Sequence, residues 1–181
     1  MSAMRLRFST IVLVGLLFAL ALPVVAQMAM PKPAPELKKL DYFAGTWTTG
    51  GDIKPSSMGP GGKWTGKDHY EWMEGGFFLT GKTEYNGPEG KSQGQAFMGY
   101  DTDEKMFTYN AFDSTGEAGH AKGNVDGDTW SYTSDEKMGG KTFKGRYTMK
   151  VMSPTSYTMK YEMSQDGTNW TTVMEGKATK K

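Results

Sequence analysis

From Thr46 onward the apolar positions recur every second residue, and turn residues interrupt them at short intervals. Period two marks strands that bury one face. It is cleanest over 141–151, where Phe143, Tyr147, Met149 and Val151 share one face and Lys144, Arg146, Thr148 and Lys150 the other. Tyr157, Met159, Tyr161 and Met163 alternate likewise against Thr158, Lys160 and Glu162. Further strands are predicted over 45–53, 63–73, 77–85, 92–100, 106–112, 119–125, 129–134 and 170–177. In 63–73, Trp64, Asp68, Tyr70 and Trp72 are in phase; in 77–85, Phe77, Leu79 and Tyr85 are. The stretch 106–112 is apolar on both phases, so both its faces are expected to be covered. Asn86-Gly87-Pro88-Glu89-Gly90 is a turn, and Asp126-Gly127 and Asp166-Gly167 are hairpin signals.

Ahead of the strands, Leu37, Leu40 and Phe43 or Tyr42 have helical spacing, and Pro35 suits a helix start. One or two turns are predicted over 36–43, capping a barrel mouth and ended by Gly45. About ten strands in simple order, with no helix of crossover length among them, exclude parallel α/β folds. The fold class is all-β: a single antiparallel up-and-down barrel with a short N-terminal helix. An outer-membrane barrel needs an apolar lipid face. The face carrying Lys144, Arg146, Lys150, Lys160 and Glu162 reads as wet, which points to a soluble barrel.

The first 26 residues read as a signal peptide: Arg5 and Arg7, then the apolar run 11–22, then the small-residue site Val24-Val25-Ala26. Cleavage would make Gln27 the first mature residue and send the protein to the periplasm or beyond, with no stable membrane insertion afterwards. Residues 27–35, holding Met28, Met30 and three prolines, read as an extended leader, and 36–181 as the barrel domain. Met28 and Met30 could hold Cu(I), although a chance pair in a tail is the plainer reading. No Cys is present, which excludes disulfides and thiol chemistry. Without the signal the chain holds 19 basic and 20 acidic residues, a balance that attracts no nucleic acid. The same stretch has seven Leu, Ile and Val against seven Phe, nine Tyr, five Trp and twelve Met. The core is therefore aromatic and thioether-rich.

No catalytic or metal-binding motif stands out. Glu71 with Glu74, and Asp101 with Asp103 and Glu104, flank or form turns, where Asp is favoured for its backbone hydrogen bonds. Asp68 is different: it shares the inward phase of Trp64, Tyr70 and Trp72, and a buried carboxylate needs a partner or a ligand. Asn110 and Arg146 are conceivable partners, although a charge near the barrel rim reached by water is the plainer reading. A barrel of ten strands is wide enough to leave a cavity. Its expected lining is Trp64, Asp68, Tyr70, Trp72, Phe77, Leu79, Tyr147, Met149, Tyr157, Met159 and Tyr161.

Three stretches carry a family resemblance: the helix with Gly45-Thr46-Trp47, the run Glu74-Gly75-Gly76-Phe77-Phe78-Leu79, and Gly99-Tyr100-Asp101. Together they resemble a bacterial family known as domain of unknown function 1579. Its members pair a Leu-x-x-Leu-x-Gly-x-Trp stretch with a Gly-Gly-x-Phe-Leu-like strand and a Gly-Tyr-Asp turn. The resemblance runs from Pro35 to the C-terminus. It implies a calycin-type, lipocalin-like barrel whose first strand carries a Trp that plugs one end. It implies no settled activity, cofactor or catalytic residue. Nitrobindin-like barrels hold haem through one His and carry a Tyr-Pro pair after the first strand. This chain lacks that pair, and its two His beyond the signal, His69 and His120, read as surface residues, so haem on His120 is not expected. The leading functional expectation is an interior site for a small apolar molecule. The alternatives are a hydrolase or isomerase using Asp68 with Tyr70 or Tyr147, and an interaction module with a filled core.

Overall fold

The computed structural model describes residues 31–56 and 59–181; the signal read at 1–26, with Met28 and Met30, lies outside them. Pro33–Lys181 forms one unit. It begins with a short helix, Pro35–Tyr42, followed by β1 (Gly45–Ile53), β2 (Gly62–Trp72), β3 (Leu79–Gly87), β4 (Gly90–Asp101) and β5 (Met106–Asp113). Then come β6 (Ala118–Asp126), β7 (Thr129–Met138), β8 (Lys141–Ser153), β9 (Ser156–Ser164) and β10 (Thr171–Lys180). Each strand pairs with the next, and β10 pairs antiparallel with β1, so the barrel closes and leaves no edge. The expected ten-stranded up-and-down barrel is the fold observed.

The helix is of the tighter 3-10 type. Pro35 presets its first turn, and three-residue bonds such as Leu37 N–H to Ala34 O (3.1 Å) and Phe43 N–H to Leu40 O (2.9 Å) flank it. It buries Leu37 and Leu40. Gly45, with φ +113°, turns the chain from the helix into β1, in a conformation that L side chains rarely adopt. Trp47 is thereby driven inward, is fully buried, and donates its indole N–H to Phe43 O at 2.7 Å. Its ring lies 4.9 Å from Tyr157, roughly edge to face. Phe43 and Phe107 pack on Trp130 at 5.2 and 4.8 Å. The helix and these rings fill one end of the barrel.

Four expectations change. The stretch 106–112 is not covered on both faces: Phe107 and Tyr109 turn inward, while Phe112 on the other phase is 56% exposed. β3 starts at Leu79 rather than 77, because Met73 N–H donates to Phe78 O (2.9 Å) and closes a loop that holds Phe77. β7 continues past 134 to Met138, since Ser134–Met138 pair in register with Lys141–Gly145 of β8. Asp166-Gly167 sits inside a longer loop rather than a two-residue hairpin: the Asp166 carboxylate accepts from Thr168 and Asn169 N–H, both at 2.8 Å. Asp126-Gly127 does form a tight hairpin, with Asp126 opposite Thr129. Asp101 accepts from the N–H groups of Asp103 and Glu104, so that acidic run is a turn built by its own side chain.

The outer face of β7–β9 carries ion pairs: Lys144–Asp135 (2.6 Å), Arg146–Glu162 (2.9 Å) and Lys160–Glu162 (2.8 Å). Among the described residues no helix is long and apolar enough to cross a membrane.

Candidate functional site

Beyond the aromatic plug the barrel is hollow. A cavity of about 400 Å³ runs from Phe43 toward Ser134 and Glu136 of β7. It exists because large inward side chains face glycines across the sheet. Tyr70 of β2 is opposite Gly81 of β3, and a Cβ on Gly81 would stand 2.3 Å from the Tyr70 ring. The ring lies flat over the bare backbone and leaves the centre open. Gly81→Ala is expected to push Tyr70 into the cavity at a cost of about 1–3 kcal/mol, so the protein still folds. Titration with an apolar fluorophore should then show that uptake falls much more than thermal stability does. Equal uptake by wild type and variant would mean that Tyr70 does not border the bound molecule.

Asp68 lies in the wall one inward position from Tyr70. Among the described residues nothing hydrogen-bonds or ion-pairs with its carboxyl. Neither partner conceivable from sequence reaches it. Arg146 points outward to Glu162, with its guanidinium 4.1 Å over the Trp170 ring, and Asn110 bonds His120 at 2.5 Å. Burial alone pushes Asp68 up from 3.8 to about 7. Its charge is felt by Tyr70 on its own strand and by tyrosines on other strands. Burial and then the Asp68 charge raise Tyr109 to about 12. Tyr70, Tyr147 and Tyr157 rise further, with burial the larger cause and Asp68 among the neighbours that add to it. These four phenols stay protonated across ordinary pH and so are available as hydrogen-bond donors. One already donates: Tyr147 OH to the Met159 sulfur, at 3.0 Å.

Residues 32–180 match a family described as "Protein of unknown function (DUF1579)". The chain belongs to the DUF1579 family. No curated protein matches its sequence. Among solved structures it resembles one titled "Crystal Structure of Rv2717c from M. tuberculosis", with a TM-score of 0.55 and 13% identity over 83% of this chain and 99% of that one. At that identity the likeness concerns the fold.

In this DUF1579 barrel eight of the candidate lining residues border the cavity: Trp64, Asp68, Tyr70, Tyr147, Met149, Tyr157, Met159 and Tyr161. Trp72, Phe77 and Leu79 do not. Trp72 sits at the plugged end and donates its indole N–H to Asp41 at 2.8 Å, Phe77 is in the loop before β3, and Leu79 is fully buried in the plug. Sequence reasoning missed Tyr109, Met98 and Phe43 as lining. Tyr109 lay in the stretch with apolar residues on both phases, where alternation carries no sign. Met98 and Phe43 reach the cavity only through register and the helix turn. His69 is exposed and bonds Thr46 at 2.9 Å; His120 is exposed, bonds Asn110 at 2.5 Å, and is also among the residues that border the cavity. Among the described residues no three His, Cys, Asp or Glu gather as a metal site.

Proposed function

We propose that this DUF1579 barrel is an exported protein that holds a small, mostly apolar molecule in its interior. The observation that carries the reading is the cavity of about 400 Å³, walled by aromatic rings and Met98, Met149, Met159 and Met174. Its size falls in the usual range for small-molecule sites, and such sites combine apolar walls with a few convergent polar groups. Asp68 and the tyrosine hydroxyls are those groups. Native mass spectrometry of the protein taken from its own periplasm, with identification of what denaturation releases, tests the reading. A stoichiometric small molecule is the expected result. A clean apo mass, together with no thermal shift across a panel of apolar compounds, would sink it.

Export rests on the charged start, apolar run and Val-Val-Ala site at 1–26. The intact mass of the expressed protein should correspond to a chain beginning at Gln27. A chain retaining Met1 in the cytoplasm would contradict export.

A second reading is acid–base catalysis in the same cavity, and the Asp68 carboxyl near pH 7 favours it. Asp68 would move the proton, and Tyr70 or Tyr147 would donate a hydrogen bond to the reacting oxygen. Turnover that disappears in Asp68→Asn, with a pH–rate profile breaking near 7, is its signature. Release of unaltered compound on denaturation favours the binding reading.

A further inference from the structure

We infer that the interior site selects its occupant by charge: it takes a monocationic amine or quaternary ammonium compound, whose head sits against Asp68 and the surrounding tyrosine rings. This rests on the reading that the cavity binds a small molecule, and adds the chemical class.

The lining contains no Lys and no Arg. Its acidic members are Asp68, Glu84 and Glu136, and Glu136 already accepts the Ser134 hydroxyl at 2.6 Å. Asp68 is the carboxyl in the wall beside Tyr70, and it has no partner among the described residues. Asp68 is half-buried and opens onto the cavity; a carboxylate with reduced access to water and no partner is costly, and a cation delivered by the ligand offsets that cost. An anionic amphiphile does the reverse: it brings a second negative charge into a pocket whose lining holds no Lys or Arg to receive it and one histidine, His120, that is already bonded to Asn110. A neutral guest leaves Asp68 as it was.

The rings sharpen the choice. Tyr70, Tyr109, Tyr147 and Tyr157 come from four different strands, border the cavity, and are all close enough to feel the Asp68 charge. Aromatic rings that border the same cavity as a carboxylate suit an ammonium head, which gains from a ring face as well as from the opposite charge. Trp64, Met98 and Met149 then offer apolar contact to the uncharged body of the guest.

The test compares three probes of similar size by calorimetry at pH 8: benzyltrimethylammonium, its neutral isostere neopentylbenzene, and the anion 3-phenylpropanoate. The cation should bind about tenfold or more tighter than the neutral isostere, in line with desolvated cation–aromatic contacts, and the anion should not bind measurably. In Asp68→Asn the preference for the cation should fall below about threefold while neopentylbenzene still binds. If the neutral compound or the anion binds wild type as tightly as the cation, charge selection is overturned and the apolar cavity stands. If Asp68→Asn keeps the full preference, Asp68 is not the cause. If none of the three binds at millimolar concentration or shifts the melting temperature, the inference and the interior-site reading fall together.

Discussion

Trp47→Ala is expected to destabilise the protein by about 3–5 kcal/mol, the range for removing a large buried aromatic. For a domain of this size that lowers the melting temperature by roughly 6–20 °C. Trp47 is fully buried, packs on Tyr157 at 4.9 Å, and lies 5.3 Å beneath the Lys180 ammonium. Its indole also satisfies the Phe43 carbonyl at 2.7 Å, which the alanine variant leaves without that donor. The loss reaches beyond one cavity, because Trp47 ties the helix to β1 and stands opposite Lys180 at the β1–β10 closure. Lys180 in turn donates to Tyr42 O at 3.1 Å. Thermal unfolding followed by near-ultraviolet circular dichroism checks this. A variant melting within a degree or two of wild type would show that the plug contributes little to the fold. Trp47→Phe separates packing from the hydrogen bond: it should cost less than alanine, with about 1–3 kcal/mol left for the unpaired carbonyl and smaller ring.

Asp68→Asn is expected to act in the opposite direction. Burial raises the Asp68 carboxyl from 3.8 to about 7, so the folded protein keeps a proton that the unfolded chain has released. Stability from this group is complete below about pH 4, falls as pH rises from there through 7, and is gone above that. At about 1.4 kcal/mol per pH unit the loss reaches roughly 4 kcal/mol by pH 8. Asparagine carries no charge, so the variant should be the more stable protein at pH 8, by up to about 4 kcal/mol or roughly 8–16 °C in Tm, and nearly equal to wild type at pH 4. Other carboxylates work the other way. Asp113 is held below its ordinary value, chiefly by the Thr115 hydroxyl, and Asp101 by the N–H of Glu104, and both lose their contribution as pH falls. Subtracting the two proteins' pH–stability curves isolates Asp68. A difference that is the same at pH 4.5 and pH 8 would mean that this carboxyl titrates as an ordinary one. A stabilising substitution in the wall of a cavity is the pattern of a site that gives up stability for function.

The two variants lie at opposite ends of what could be read before the structure. Alternation along each strand is a local property, so Trp64, Tyr147 and Met149 declare their inward phase without knowledge of any neighbour, whereas the inward Trp47 was implied by the family resemblance. The same alternation places Lys144 and Arg146 on the charged outer face. Strand number, up-and-down order and the helix before β1 follow from that pattern and from turn residues such as Asp126-Gly127. Phase also put Asp68 among the aromatics. It did not reveal that Asp68 would line the interior without a partner, since a wet place near the barrel rim was the plainer reading and Asn110 or Arg146 also fitted the pattern.

The sequence by itself determined the barrel, its faces and its aromatic interior, because side-chain period and turn chemistry are set by adjacent residues. The tertiary structure decided where the interior is filled and where it is empty. Phe43, Trp47, Trp130 and Tyr157 are far apart in the chain and meet at one end only when β1 closes on β10 and the helix folds across. At mid-barrel, register sets Tyr70 over Gly81 and Trp64 against Gly176, so rings lie along the wall instead of across the centre. Volume, and the isolation of one carboxyl within it, depend on which residues stand opposite one another around the closed sheet, and that is fixed by the pairing of strands rather than by the order of residues within any one of them.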